Sequence, residues 1–181
     1  PSSWSSFMPS FLNRLRGWLF GPPPRLRCAR SIWQAGAAEL AARTRGETQE
    51  SGAYLLGVPL PDGSQRILEF VYYDDIDPRA LETGIVTIRQ TALPKLWALC
   101  RERGFGVVAD VHVHPGGYGQ SRSDRDNPVM PRAGHIAMIL PNFARGAPVP
   151  GEIGIYEFGG AGVWSDHSAQ GPRFVKLEGR T

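Results

Sequence analysis

The chain has 181 residues, 41% of them apolar and 20% charged, with 22 glycines and 16 prolines. That length carries one well-buried domain with an appendage and a loop-rich surface, and no apolar run approaches the roughly 20 residues of a membrane span. The net charge of +3 is concentrated at one end: the first 38 residues hold Arg14, Arg16, Arg25, Arg27 and Arg30 and no acid, leaving 15 basic against 17 acidic residues beyond, so the domain lacks the basic stripe that would predict nucleic acid as a partner.

Residues 1–24 read as the appendage. Pro9 suits the first turn of a helix, and Phe11, Leu12, Leu15, Trp18 and Leu19 recur at helical spacing. Pro22-Pro23-Pro24 then stops the helix and forms a stiff spacer. An amphipathic basic helix of this kind suits docking on its own domain, a partner protein, or contact with an anionic membrane surface.

One domain follows, over residues 25–181. A helix is predicted over 31–45, with Ser31 as N-cap and Gly46 as its stop. Glu50 runs into a buried-type strand ending near Gly57, a turn falls within 60–65, and a second strand covers 67–73. The run Asp74-Asp75-Ile76-Asp77-Pro78 reads as a solvated acidic loop, able to meet a basic tail. After a short strand at 84–88, a helix is predicted over 91–103, with Leu93, Leu96, Trp97 and Cys100 inward and Pro94 in its first turn. Strands then follow at 107–114, 134–140, 152–158, 163–164 and 174–177, with a hairpin turn at Gly159-Gly160. Strands interleaved with two helices predict an α/β (α+β) domain built on a mixed sheet flanked by helices. Cys28 and Cys100 match no metal or disulfide spacing, and no secretory signal stands out, which predicts a reducing, cytoplasmic setting.

The chemistry concentrates at Val111-His112-Val113-His114-Pro115. Side chains alternate along a strand, so His112 and His114 point the same way and can converge on one ion. Pro115 ends the strand, and Gly116-Gly117-Tyr118-Gly119 lets the chain turn back to bring the carboxylate of Asp124 to the same point. Two imidazoles and one carboxylate leave a fourth position for water, the hallmark of catalytic rather than structural zinc. Asp110 shares the histidines' face and is either an outer partner of a ligand or strand-end surface. His135 reads as structural and His167 as solvated.

Glu50, then His112-x-His114-Pro115, then Ser121-x-x-Asp124 resemble the JAMM motif of JAB/MPN-domain metalloproteases. Leu55 and Gly57 after Glu50 resemble the strand that follows the family's glutamate, and Asp124-Arg125-x-Asn127-Pro128 is similar to prokaryotic members, which occur with ubiquitin-like proteins and E1- or E2-like enzymes. The resemblance spans about residues 31–165 and implies a curved MPN/JAB-like sheet. It also implies one Zn2+ on His112, His114 and Asp124, Glu50 as general base and then acid, and Ser121 as oxyanion donor. Its implied substrate is the peptide or isopeptide bond after the C-terminus of a ubiquitin-like protein. Ser121 lies closer to His-Pro than the family pattern, and Ser123 with Asp126 repeats the spacing two residues on. Glu47 is the alternative base. A non-catalytic MPN scaffold and a zinc amidase on a different small substrate are the competing functions. A thermolysin-like His-Glu-x-x-His and a deaminase Pro-Cys-x-x-Cys are absent, and the 67 residues after His114 are too few for a barrel metallohydrolase.

Overall fold

The computed structural model describes residues 22–83 and 86–179. The expected N-terminal amphipathic helix lies outside the described residues.

The described chain is an α+β structure organised on one curved, eight-stranded half-barrel sheet. The strands are β1 (Leu26–Ala29), β2 (Gly52–Pro59), β3 (Gln65–Tyr72), β4 (Gly106–Val113), β5 (Ile136–Leu140), β6 (Gly154–Gly160), β7 (Val163–Asp166) and β8 (Val175–Glu178), in the spatial order β7-β6-β5-β4-β2-β3-β1-β8. The β2–β3, β2–β4, β5–β6 and β6–β7 pairs are antiparallel, whereas β4–β5, β1–β3 and β1–β8 are parallel. The helices are α1 (Arg30–Ala42), the single turn α2 (Tyr73–Ile76), α3 (Leu93–Arg103) and α4 (Arg122–Asp126).

Two cores follow from the alternation of side chains across the sheet. On one face Trp33, Ala37 and Leu40 of α1 cover Leu55, Ile67, Val111 and Met138. On the other, Leu96 and Cys100 of α3 cover Tyr54, Leu56, Val71 and Val107. Between Leu55↔Ala109 and Leu56↔Val107 the register shifts, so β4 carries one extra residue there. Such a bulge resets which side chains face which way. Beyond it Val111 and Val113 enter the α1 core, while Asp110, opposite Tyr54, and His112, opposite Gly52, take the other face.

Several local expectations shift. Helix α1 begins at Arg30, its N-cap residue is Ala29, and Ser31 makes no cap. Strand β1 was not expected. The helix expected over 91–103 is a 3-10 turn, Gln90–Ala92, followed by α3, with Pro94 in the first turn and Gly104 left-handed at its end (φ 68°). Residues 86–89 form no regular strand. The hairpin between β6 and β7 turns at Ala161-Gly162, both with positive φ (49° and 75°), and Gly159-Gly160 instead fall at an irregular strand end.

The acidic loop is the main correction. Tyr73–Ile76 is a helical turn, and Tyr73 and Ile76 are buried. Asp77 is fully buried: its carboxylate accepts from the backbone N–H of Arg79 and Arg89 and from the Arg89 guanidinium. Asp74 and Asp75 are engaged by Arg43 at 2.7 and 2.9 Å. Arg43 is shared among Glu39, Asp74 and Asp75, and Asp77 is paired with Arg89, so this acidity is largely engaged within the chain.

Candidate metal centre

The end of β4 presents the two imidazoles. Val113 N–H donates to Ser51 O and His114 N–H to Leu140 O, so neighbouring strands on both sides fix the strand end. His112 and His114 are both buried, and their Nε2 atoms lie 3.0 Å apart. Glu50 stands immediately before β2, whose register places Gly52 opposite His112. The Ser51 hydroxyl donates to Leu40 O at 2.6 Å, tying this point to the end of α1. Glu50 Oε1 thereby comes to 3.9 Å from His114 Nε2.

Asp124 arrives from the crossover between β4 and β5. Ser121 caps α4 with a capping box: its Oγ accepts from Asp124 N–H at 3.1 Å, and Asp124 Oδ2 accepts from Ser121 N–H at 2.6 Å. This reciprocal pair, which satisfies otherwise orphaned helix donors, also orients the carboxylate. Asp124 Oδ1 lies 3.5 Å from His112 Nε2 and Oδ2 lies 3.3 Å from His114 Nε2.

The donor set fits zinc. Ligand atoms about 2.05 Å from a tetrahedral ion stand about 3.3 Å apart. Here the two imidazole nitrogens stand 3.0 Å apart, Asp124 turns Oδ1 to His112 at 3.5 Å and Oδ2 to His114 at 3.3 Å, and with one ligand atom from each residue the three lie within 4.8 Å of one another. Burial opposes the ionised form of Asp124, yet hydrogen bonds from both imidazoles hold its carboxyl well below the ordinary carboxylate range. Burial also opposes a charged His112, and the Asp124 carboxylate overcomes it and raises the imidazole's pKa. Burial raises the Glu50 carboxyl against the pull of the two imidazoles. Glu50 is half-buried and lines a cavity together with His112 and Asp124.

Other residues sort themselves by place. Asp126 is exposed and paired with Arg122 at 3.3 Å, and Glu47 is exposed and paired with Arg145. Neither takes part in the cluster. Asp110 is not strand-end surface. It is 2% exposed, accepts from Tyr73 OH at 2.9 Å, and lies 2.5 Å from His135 Nε2. His167 stacks on Phe174 and meets Glu157 at 3.2 Å rather than being fully solvated. Cys28, buried, has its thiol pushed up to about 12 by desolvation, which makes it inert.

A cavity of about 60 Å³ opens beside the cluster, and Glu50, His112, Asp124, Ser121, His135 and Trp164 line it. Tyr73, His135 and Trp164 were not singled out by sequence as site residues. Tyr73 reaches Asp110 from the helical turn α2 and His135 from the turn before β5, and Trp164 comes from the β6–β7 hairpin. The one local signal was the buried polar position of Asp110 on the histidines' face, which demands partners.

No family model matches the chain. The fold is similar to the solution structure of a protein from Desulfitobacterium hafniense, at 13% identity over 86% of this chain and 94% of that one, with a TM-score of 0.58. It is also similar to the solution structure of a protein from Salinibacter ruber, at 19% identity over 78% of this chain and 88% of that one, with a TM-score of 0.51. At these identities the likeness is one of fold.

Proposed function

We propose that the chain is a zinc-dependent peptidase or isopeptidase of the JAMM type, with an MPN/JAB-like fold, acting after the C-terminus of a ubiquitin-like protein in deconjugation or precursor processing. The observation that carries the reading is the convergence of His112, His114 and Asp124, with Glu50 alongside. E1- and E2-like enzymes of the same system are the natural partners by resemblance. Among the described residues no helix is long and apolar enough to cross a membrane.

A zinc ion held by these three residues would supply Lewis-acid polarisation of a carbonyl and a water acidic enough to react near neutral pH. The rest of the chemistry belongs to the chain. Glu50, whose pKa is raised by burial, accepts the proton of the attacking water and returns it to the leaving amine. The Ser121 oxygen is an acceptor in the cap, which leaves its hydroxyl hydrogen free to donate to the developing oxyanion. Asp110, held by Tyr73 and His135, fixes the strand beneath the cluster. No covalent intermediate is required, in keeping with the inert Cys28.

The test is cleavage of a fusion between a ubiquitin-like protein and a target by zinc-loaded protein, with Glu50→Gln as the comparison. The expected result is cleavage at the modifier's C-terminus, lowered about 10³-fold by the substitution while zinc is retained. Equal cleavage by Glu50→Gln removes Glu50 from the mechanism, and no cleavage of any such fusion removes the substrate class.

A further inference from the structure

Asp124 stands on a segment that has almost nothing else to hold it. No residue of 115–127 is buried; only Gln120 and Asp124 are even half-buried. The segment therefore makes no contribution to either core, and α4 has only five residues, too short to be stable alone. Yet its carboxylate sits within 3.5 Å of two imidazoles carried by a different element.

Contacts from the β6–β7 hairpin account for this. The Tyr156 hydroxyl donates to Tyr118 O at 3.0 Å, near the start of the segment. The Trp164 indole N–H donates to Arg125 O at 3.2 Å, one residue past the ligand. The Trp164 ring is itself braced on Phe158, with ring centroids 4.9 Å apart, and forms part of the cavity wall. Gly154 permits the approach: a Cβ there would come within 2.3 Å of Tyr118 O. One further bond, Asn142 N–H to Gly116 O at 2.8 Å, anchors the segment's beginning from β5's end. The Trp164 bond reaches the backbone of the half that carries Asp124.

We infer that Trp164 and Tyr156 are positioning residues for the third metal ligand, so that the β6–β7 hairpin sets the metal affinity of a site to which it contributes no ligand. The inference rests on the metal-centre reading of His112, His114 and Asp124. In the metal-free protein the two bonds hold the carboxylate where it is needed, and the ion does not have to order the segment on binding. Without them, part of the binding free energy goes into that ordering.

The experiment uses Trp164→Phe and Tyr156→Phe in the full chain, each removing one hydrogen-bond donor while keeping a ring. Zinc affinity is read by chelator competition, and tryptic cleavage after Arg122 and Arg125 is read on the zinc-free protein. The expected result is zinc affinity about tenfold weaker in each variant and cleavage at those two sites about tenfold faster, with the thermal midpoint of the zinc-free protein nearly unchanged. Unchanged affinity and unchanged cleavage in both variants overturn the inference. Wild-type protein that binds no zinc overturns the metal-centre reading instead, and the cleavage rates then decide the tether by themselves.

Discussion

Asp77 illustrates how much one carboxylate organises. Fully buried and bonded to two backbone N–H groups and a guanidinium, it ties Arg79 and Arg89 to one point, and nearby Val86 lines the cavity. The Arg89 side chain and the backbone donors hold its carboxyl well below the ordinary value. A depressed folded-state pKa stabilises the protein above the unfolded value of about 3.9, and that contribution is lost as pH falls toward the folded value. Asp77→Asn is therefore expected to cost about 2 kcal/mol at pH 7, the scale of hydrogen bonds to a buried charge. Urea titrations at stepped pH should show the gap between variant and parent closing progressively below about pH 4. A gap that stays constant to pH 3 would mean that the charge contributes nothing. The acidic composition of 74–77 suggested solvent, because a single residue's burial depends on partners twelve and more positions away, here Arg89.

At the scale of elements, strands and helices with strong local signals were legible. Helix α3 has Pro94 in its first turn and Gly104 at its end, and both marks act through local backbone geometry. Strand β4 is nearly wholly buried, and its four valines, Val107, Val108, Val111 and Val113, mark it as a strand. Strand β1 was not legible: its four residues, Leu-Arg-Cys-Ala, alternate in burial but are too few for that pattern to stand out, and they become a strand by lying between β3 and β8. Gly159-Gly160 is the stronger turn signal in the sequence, yet the turn falls two residues later, at Ala161-Gly162. In the structure Ala161 adopts the left-handed conformation anyway, held by the pairing of Gly160 with Val163. A non-glycine residue there carries strain that asparagine tolerates better. Ala161→Asn is expected to stabilise the protein by about 0.5 kcal/mol in thermal unfolding, and a loss of stability would contradict the assigned turn.

At the scale of the whole molecule, the half-barrel gathers a glutamate before β2, two histidines at the end of β4 and an aspartate from the β4–β5 crossover into one cluster. The His-x-His spacing and the following aspartate were legible because a strand has period two and a short loop can only return nearby. The choice of Asp124 over Asp126 was less so. It turns on the capping box that Ser121 forms with Asp124, which aims that carboxylate inward and leaves Asp126 exposed beside Arg122. The supporting shell of Tyr73, His135, Tyr156 and Trp164 was illegible, since each reaches the site from another strand, turn or loop. The proposed function requires the cluster to hold a metal ion, and metal analysis of the purified protein beside His112→Ala and Asp124→Asn tests that most directly. The expected result is about one zinc per chain in the parent, falling to a small fraction in both variants while far-ultraviolet circular dichroism is retained. Zinc that is absent from the parent, or that persists undiminished in both variants, contradicts it.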